Sequence, residues 1–266
     1  QDDDVTIMAN KDSSGMFYWK REIKEIVFDN FDTSKVTKMY SMFSSCSNLP
    51  TLDLSNFNTS KVTDMSFMFS MCRKLSKLNI SNFNTSKVTD MHSMFDDCNN
   101  LTTLDLSNFD TSKVVYMGNM FRGCENIKTL NLDGFDTRNV TYMACMFQRC
   151  LKLTALDINN FDTSKVVDMS WMFFKCQSLQ ELNLDSFDTS KVTSMGNMFQ
   201  DCSNLTSLNV SNFNTSKVID MNNMFYNCKA LTTLNLNSFN TSKVTSMGNM
   251  FANCESLITL DVSNFN

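Results

Sequence analysis

Phenylalanine recurs at positions 31, 57, 83, 109, 135, 161, 187, 213, 239 and 265, always 26 residues apart and without one insertion. A strict period of this length marks a repeat architecture, in which no unit buries its apolar face alone and neighbours must stack. Other columns keep the step. Valine stands at 36, 62, 88, 114, 140, 166, 192, 218 and 244; paired methionines run from Met39 and Met42 to Met247 and Met250; cysteine runs from Cys46 to Cys254. These columns hold 18 of the 21 methionines and nine of the ten cysteines, so the unusual composition is a property of the repeat.

Within one period the apolar spacing changes character. Val62, Met65, Met68 with Phe69, Cys72 and Leu75 advance by three or four residues, which predicts one side of a short helix or of successive 3₁₀ turns. Leu78 and Ile80 then alternate with Asn79, which predicts a short strand with one buried face. Between strand and helical arm lies "NFNTS", where Asn58 fits an Asx turn and Thr59 or Ser60 fits a cap on the first free amides of the helix. The expectation is an α/β repeat solenoid of about nine coils, with ten parallel strands in a sheet on the order of 45 Å long. A three-sided β-helix would show three alternating segments per coil, and only one is visible.

The segment "LTTLDLSNF" (101–109) resembles the leucine-rich-repeat strand, and "LDLSNFDTSKVVYMGNMFRGCENI" (104–127) resembles the BspA-like surface-protein repeat of the domain-of-unknown-function type. The resemblance covers residues 23 to 266, with departures at Gly134, at "DTRNV" (136–140) and at Ile127. It implies a leucine-rich-repeat-like solenoid and a bacterial or protist cell-surface protein, often linked to adhesion.

Residues 1–22, with the aromatic run "GMFYWKRE", read as an N-terminal cap before the solenoid of 23–266, and Ile23, Ile26, Phe28 and Phe31 fit the first strand. The C-terminal end, "DVSNFN", stops within a unit, so either the chain continues or a partner or second copy covers that coil. The opening lacks an initiator methionine and an apolar leader core, which suggests a removed signal peptide or a start inside a longer protein. Sequons such as Asn58, Asn84, Asn214 and Asn240 matter only in a glycosylating pathway.

The chemistry-bearing residues favour packing over reaction. A net charge of −5 argues against nucleic acid, and no apolar run reaches a membrane span. Cysteines one coil apart have parallel Cβ vectors, poor for disulfides, and read as buried free thiols; Cys145, off the column, is the candidate exposed thiol. Met65, Met68 and Cys72 could be soft copper ligands but fit core spacing better. His92, the single histidine, reads as a surface substitution. No cofactor, metal set or catalytic constellation is expected.

The candidate ligand face is the strand column Asp53, Asn79, Asp105, Asn131, Asp157, Asn183, Asn209, Asn235 and Asp261, wholly Asp or Asn. A mostly threonine column flanks it (Thr51, Thr103, Thr129, Thr233, Thr259), and a Ser/Asp/Asn column runs from Ser55 to Ser263. Two readings compete. One is a hydrogen-bonded polar ladder that solubilises the sheet; the other is a surface for glycan, protein or weak calcium contacts. An ice-binding face is a remote third. The lysine column from Lys35 to Lys243, interrupted at Asn139, reads as a solvated face. The sequence therefore points to an extracellular or cell-surface, non-catalytic, adhesin-like module for host or matrix protein or glycan, with end-to-end self-assembly as the structural alternative.

Overall fold

The computed structural model describes residues 6–266, so the first five residues of the expected cap lie outside the described residues. The chain winds into a solenoid of 26-residue coils, each with a strand arm and a turn arm. We number the coils by the phenylalanine ladder, from Phe17 (coil 0) to Phe251 (coil 9).

Eight short strands are present among the described residues: β1 (Ile7–Met8), β2 (Phe31–Asp32), β3 (Thr51–Asp53), β4 (Lys77–Asn79), β5 (Thr129–Leu130), β6 (Ala155–Leu156), β7 (Glu181–Leu182) and β8 (Ser207–Leu208). They pair in parallel as β1–β2, β3–β4, β5–β6 and β7–β8, with like residues side by side, such as Asp53 beside Asn79. The continuous ten-strand sheet is not formed. Each stretch runs only two or three residues before an Asx turn bends it away, so the ladder is intermittent. The first strand among the described residues is β1 at Ile7–Met8, and of the stretch expected to form it only Phe31 lies in a strand, β2; Ile23, Ile26 and Phe28 pack partly buried against the core without forming one.

The helical or 3₁₀ arm is the second correction. No helix is present among the described residues. The amides of Met65, Phe67, Phe69 and Met71 donate one coil onward, to the carbonyls of Asp90, His92, Met94 and Asp96, so they are not available to helical bonds. The amides of Met68, Ser70 and Cys72 close three-residue turns onto Met65, Phe67 and Phe69. Two residues per coil, four apart, take left-handed φ, such as Phe67 (57°) and Met71 (59°), which no right-handed helix allows. Turns that advance by three still bring every third side chain inward. On this arm parallel bridges run unbroken from Asp12 through Lys38 and Asp64 to Asp220 and Ser246. The most regular backbone coupling therefore lies on the arm whose spacing suggested a helix.

The core consists of ladders of like side chains. Phe17, Phe43, Phe69 and so on to Phe251 stack in parallel with ring centroids 5.3–5.9 Å apart, an offset arrangement that adds to the roughly 1.5–3 kcal/mol from burying each such side chain. Val62, Met65, Met68, Phe69, Cys72 and Leu75 have no exposed surface, nor do their equivalents through coil 8. In coil 9 Val244, Phe251, Cys254 and Leu257 are only partly buried, and Ile258 is 91% exposed.

The threonine column is a different device from the expected helix cap. Thr59 is buried; its hydroxyl accepts from the Asn84 amide (2.7 Å) and donates to the Asn84 carbonyl (2.9 Å), one coil on. The motif recurs from Thr33 with Asn58 to Thr241 with Asn266. In eight of the nine coils the hydroxyl thus satisfies both backbone groups of one residue in the next coil, and Thr163 bonds the Asp188 carbonyl. The Asx turn at Asn58 does form, with Oδ1 accepting from the Ser60 amide at 3.1 Å.

Candidate functional site

The nine Asp/Asn residues from Asp53 to Asp261 all stand exposed on the strand arm. Leucines on either side, such as Leu52 and Leu54, point inward and fix the polar residue outward by strand alternation. In every one, Oδ1 accepts the backbone amide two residues on, at 2.9–3.3 Å. The column's restriction to Asp and Asn follows from this bond, since the side chain must carry an acceptor at that reach. Side-chain contact between neighbouring coils is sparse: Asn209 Nδ2 donates to Asp185 Oδ1 at 2.9 Å. The head groups therefore form separate Asx turns more than one ladder.

The same bonds set the charge. Backbone and side-chain hydrogen bonds from Ser55, Ser107 and Ser263 hold the carboxyls of Asp53, Asp105 and Asp261 below the usual carboxylate range. The face also carries Asp133, Asp157, Glu181 and Asp185 against Lys77, so it is acidic. Between β7 and coil 9 it forms a shallow concavity of about 820 Å³ lined by Asn183, Asp185, Asn209, Asn235, Asn237 and Asp261. Among the described residues no three His, Cys, Asp or Glu side chains converge as a cation set.

The other candidates fall elsewhere. The nine column thiols each donate to a phenylalanine carbonyl one coil back, as Cys72 Sγ does to Phe43 at 3.2 Å, and all ten cysteines are free. Burial pushes Cys46 and the half-buried Cys145 up to about 11, so neither is an activated nucleophile. The copper candidates Met65, Met68 and Cys72 are core. His92 is not a surface substitution; it is half-buried between the rings of Phe67 (5.2 Å) and Tyr142 (6.2 Å), and burial lowers its pKa. The lysine row is exposed, and at its interruption Lys165 Nζ donates to Asn139 Oδ1.

Two features were not anticipated from the sequence. Where an asparagine precedes the phenylalanine its side chain ties back to the preceding coil, as Asn108 does by donating to the carbonyls of Ile80 and Phe83 (3.1 and 2.7 Å), and Ser186 and Ser238 donate there through their hydroxyls. The turn arm, in contrast to the uniform strand arm, carries both tryptophans and all five tyrosines. Gly118 makes room there, since a Cβ at that position would run into the Tyr142 ring.

Coils tied by parallel backbone ladders around a leucine-lined strand arm define a leucine-rich-repeat-type solenoid. The chain belongs to the family described as Mycoplasma protein of unknown function, DUF285, whose model matches residues 11–104, 73–183 and 152–265. This agrees with the BspA-like repeat read from "NFDTSKV" and "MFRGC". Similar solved structures include a leucine-rich-repeat protein of T. pallidum (18% identity, 64% of this chain and 72% of that one, TM-score 0.44). Others are a leucine-rich cell-surface protein of Faecalibacterium prausnitzii (16%, 85% and 70%, 0.37) and a leucine-rich-repeat protein of Bacteroides ovatus (16%, 94% and 81%, 0.33). At these scores the coil geometry itself, not the likeness, carries the fold. Among curated proteins, none matches the chain in sequence. No helix among the described residues is long and apolar enough to cross a membrane.

Proposed function

We propose that the chain is a non-catalytic binding module, secreted or displayed at a cell surface, that engages an extended protein or glycan partner along its strand arm in the manner of an adhesin. One observation supports this above others: nine chemically alike head groups stand exposed, one per coil, on a frame whose coils are tied by backbone and threonine bonds. Each surface contact alone is weak. A ligand spanning several coils meets them at high effective concentration, and avidity follows from the repeat. The acidic balance of the face favours partners with basic segments.

The test is binding to panels of matrix proteins and glycans by the chain and two sets of variants. Asp105→Asn with Asp157→Asn keeps the Asx turns, because Asn79 and Asn131 already make them, and removes charge. Asp105→Ala, Asn131→Ala and Asp157→Ala together remove the heads. Affinity that falls in both sets, with melting temperature held in the first, supports the reading. Affinity untouched in both sinks it. A second reading, end-to-end association through the partly exposed Phe251 rung, predicts a mass that rises with concentration in light scattering.

A further inference from the structure

From coil 1 to coil 9 each strand arm ends in a turn in which a phenylalanine amide donates to the carbonyl three residues back, as Phe135 does to Leu132 at 2.9 Å. The turn of coil 4 differs from the others in two ways. Its central residues are Asp133 and Gly134, the single place in the chain where glycine follows an aspartate or asparagine. It is also untied. At the position of Gly134 every other coil from 1 to 9 places an asparagine or serine whose side chain donates to a carbonyl of the preceding coil. Gly134 has no side chain to do so, and its backbone N–H has no hydrogen-bond partner among the described residues.

The neighbouring carboxyl is equally unengaged. Asp133 is exposed, and among the described residues its side chain joins no ion pair and accepts no hydrogen bond. The equivalent carboxyl in coil 6, Asp185, accepts from Asn209 Nδ2 at 2.9 Å and is followed by Ser186. A Cβ built on Gly134 would meet no atom nearer than the Phe109 oxygen at 4.0 Å, so that side of the turn is open. An exposed turn with few contacts opens locally at little cost in free energy.

We propose that Asp133 is a site of spontaneous isomerisation to isoaspartate, with the free Gly134 nitrogen attacking the unengaged Asp133 carboxyl. A bond forms from that nitrogen to Cγ as a C–O bond of the protonated carboxyl breaks. The amide proton and the hydroxyl leave together as water, and a five-membered succinimide closes. Water then reopens the ring. Addition at Cγ restores aspartate; addition at the main-chain carbonyl carbon breaks its bond to nitrogen and leaves the chain running through Cγ. One water leaves and one returns, so no oxidant or cofactor is needed. Glycine permits the step because a side chain on residue 134 would obstruct the nitrogen's approach. The product carries one more backbone carbon between Leu132 and Gly134. It lengthens the turn and displaces the carbonyls of Leu132, Asp133 and Phe135, which Asn160 holds from coil 5 at 3.0, 3.3 and 2.9 Å. The strand arm is altered at coil 4 whether or not that arm binds a partner.

The experiment ages the full chain for several weeks at neutral pH and body temperature. Peptides are then mapped with a protease that cuts before aspartate and not before isoaspartate, and electron-transfer fragmentation confirms the linkage. Isoaspartate should form at 133 at least about tenfold faster than at 185, and within about a hundredfold of the rate in the same chain held unfolded in urea. Gly134→Ala should bring the rate at 133 down to that at 185. Ser186→Gly, which gives coil 6 the same untied turn, should raise isoaspartate at 185. A rate at 133 no greater than at 185, a folded rate more than about a hundredfold below the unfolded one, or no reduction in Gly134→Ala overturns the assignment.

Discussion

Gly134 leaves a gap in a column of asparagines and two serines, Ser186 and Ser238, whose side chains tie the strand arm to the coil before it, and filling the gap should stabilise the molecule. Asn108, Asn160, Asn212 and Asn264 each reach two carbonyls of the preceding coil through Nδ2, at 2.7–3.1 Å. At Gly134 the corresponding acceptors are the carbonyls of Leu106 and Phe109, and a Cβ built there would lie 4.0 Å from the Phe109 oxygen with nothing nearer. The position closes a turn from Leu132 to Phe135 and is not among those with left-handed φ, so an L-residue fits without strain. Gly134→Ala restricts the unfolded chain and should add about 0.4–1 kcal/mol. Gly134→Asn should add that and about 0.5–1.5 kcal/mol more from the hydrogen bonds it supplies, for a total of about 1–2.5 kcal/mol. Urea unfolding followed by circular dichroism measures both against the parent chain. An Asn variant no more stable than the Ala variant would refute the idea that these side chains tie the coils together, whatever the size of the alanine effect.

Other consequences can be checked in the same way. Thr111 is fully buried and serves both backbone groups of Asp136; Thr111→Val keeps the shape but strands a buried amide and carbonyl, and should cost about 2–4 kcal/mol, whereas Thr111→Ser should cost less than half of that. Burial raises the thiol pKa throughout the column, as at Cys98 and Cys150. The folded chain therefore keeps protons that the unfolded chain releases above the ordinary value of 9.0, so stability is intact below that pH and falls as pH rises beyond it. Between pH 9 and 10 each fully buried thiol should remove about 1 kcal/mol, and Cys150→Ala should lower that slope by the same amount in pH-dependent urea unfolding.

The inward positions were legible in the sequence. Val62, Met65, Met68, Phe69, Cys72 and Leu75 all lie where the spacing put them. What the spacing could not distinguish was a helix from consecutive turns, because both bring every third or fourth residue to one side. The distinction lies in where the amides of Met65, Phe67, Phe69 and Met71 donate, a property of the neighbouring coil. A clue was available in the two positions per coil where Asn, Asp and Gly gather, as at Asn119 with Gly123 and Asn197 with Asp201. Residues of that kind four apart disfavour a helix and suit left-handed turns.

The strand column was legible as polar and exposed, but its restriction to Asp and Asn left a ladder between coils and a partner surface both open, when a local bond to the amide two residues on accounts for it. A groove of about 710 Å³ on the turn arm was harder to see. Tyr40, Phe67, Asp96 and Arg122 sit in four different coils at variable positions, and only stacking brings them to one place.

The side-chain ties between coils join residues only 24 to 29 apart, whether through Thr59 and Asn84, Cys72 and Phe43, or Arg122 and Asp96. No coil needs to know how many others the molecule has. Excision of one whole 26-residue unit would hand each severed group a replacement partner of nearly the same kind, while loss of a fragment of any other size would set every column out of phase. Length in such a molecule is therefore adjustable in whole coils, and the variable turn arm is the place where adding or removing one would be felt.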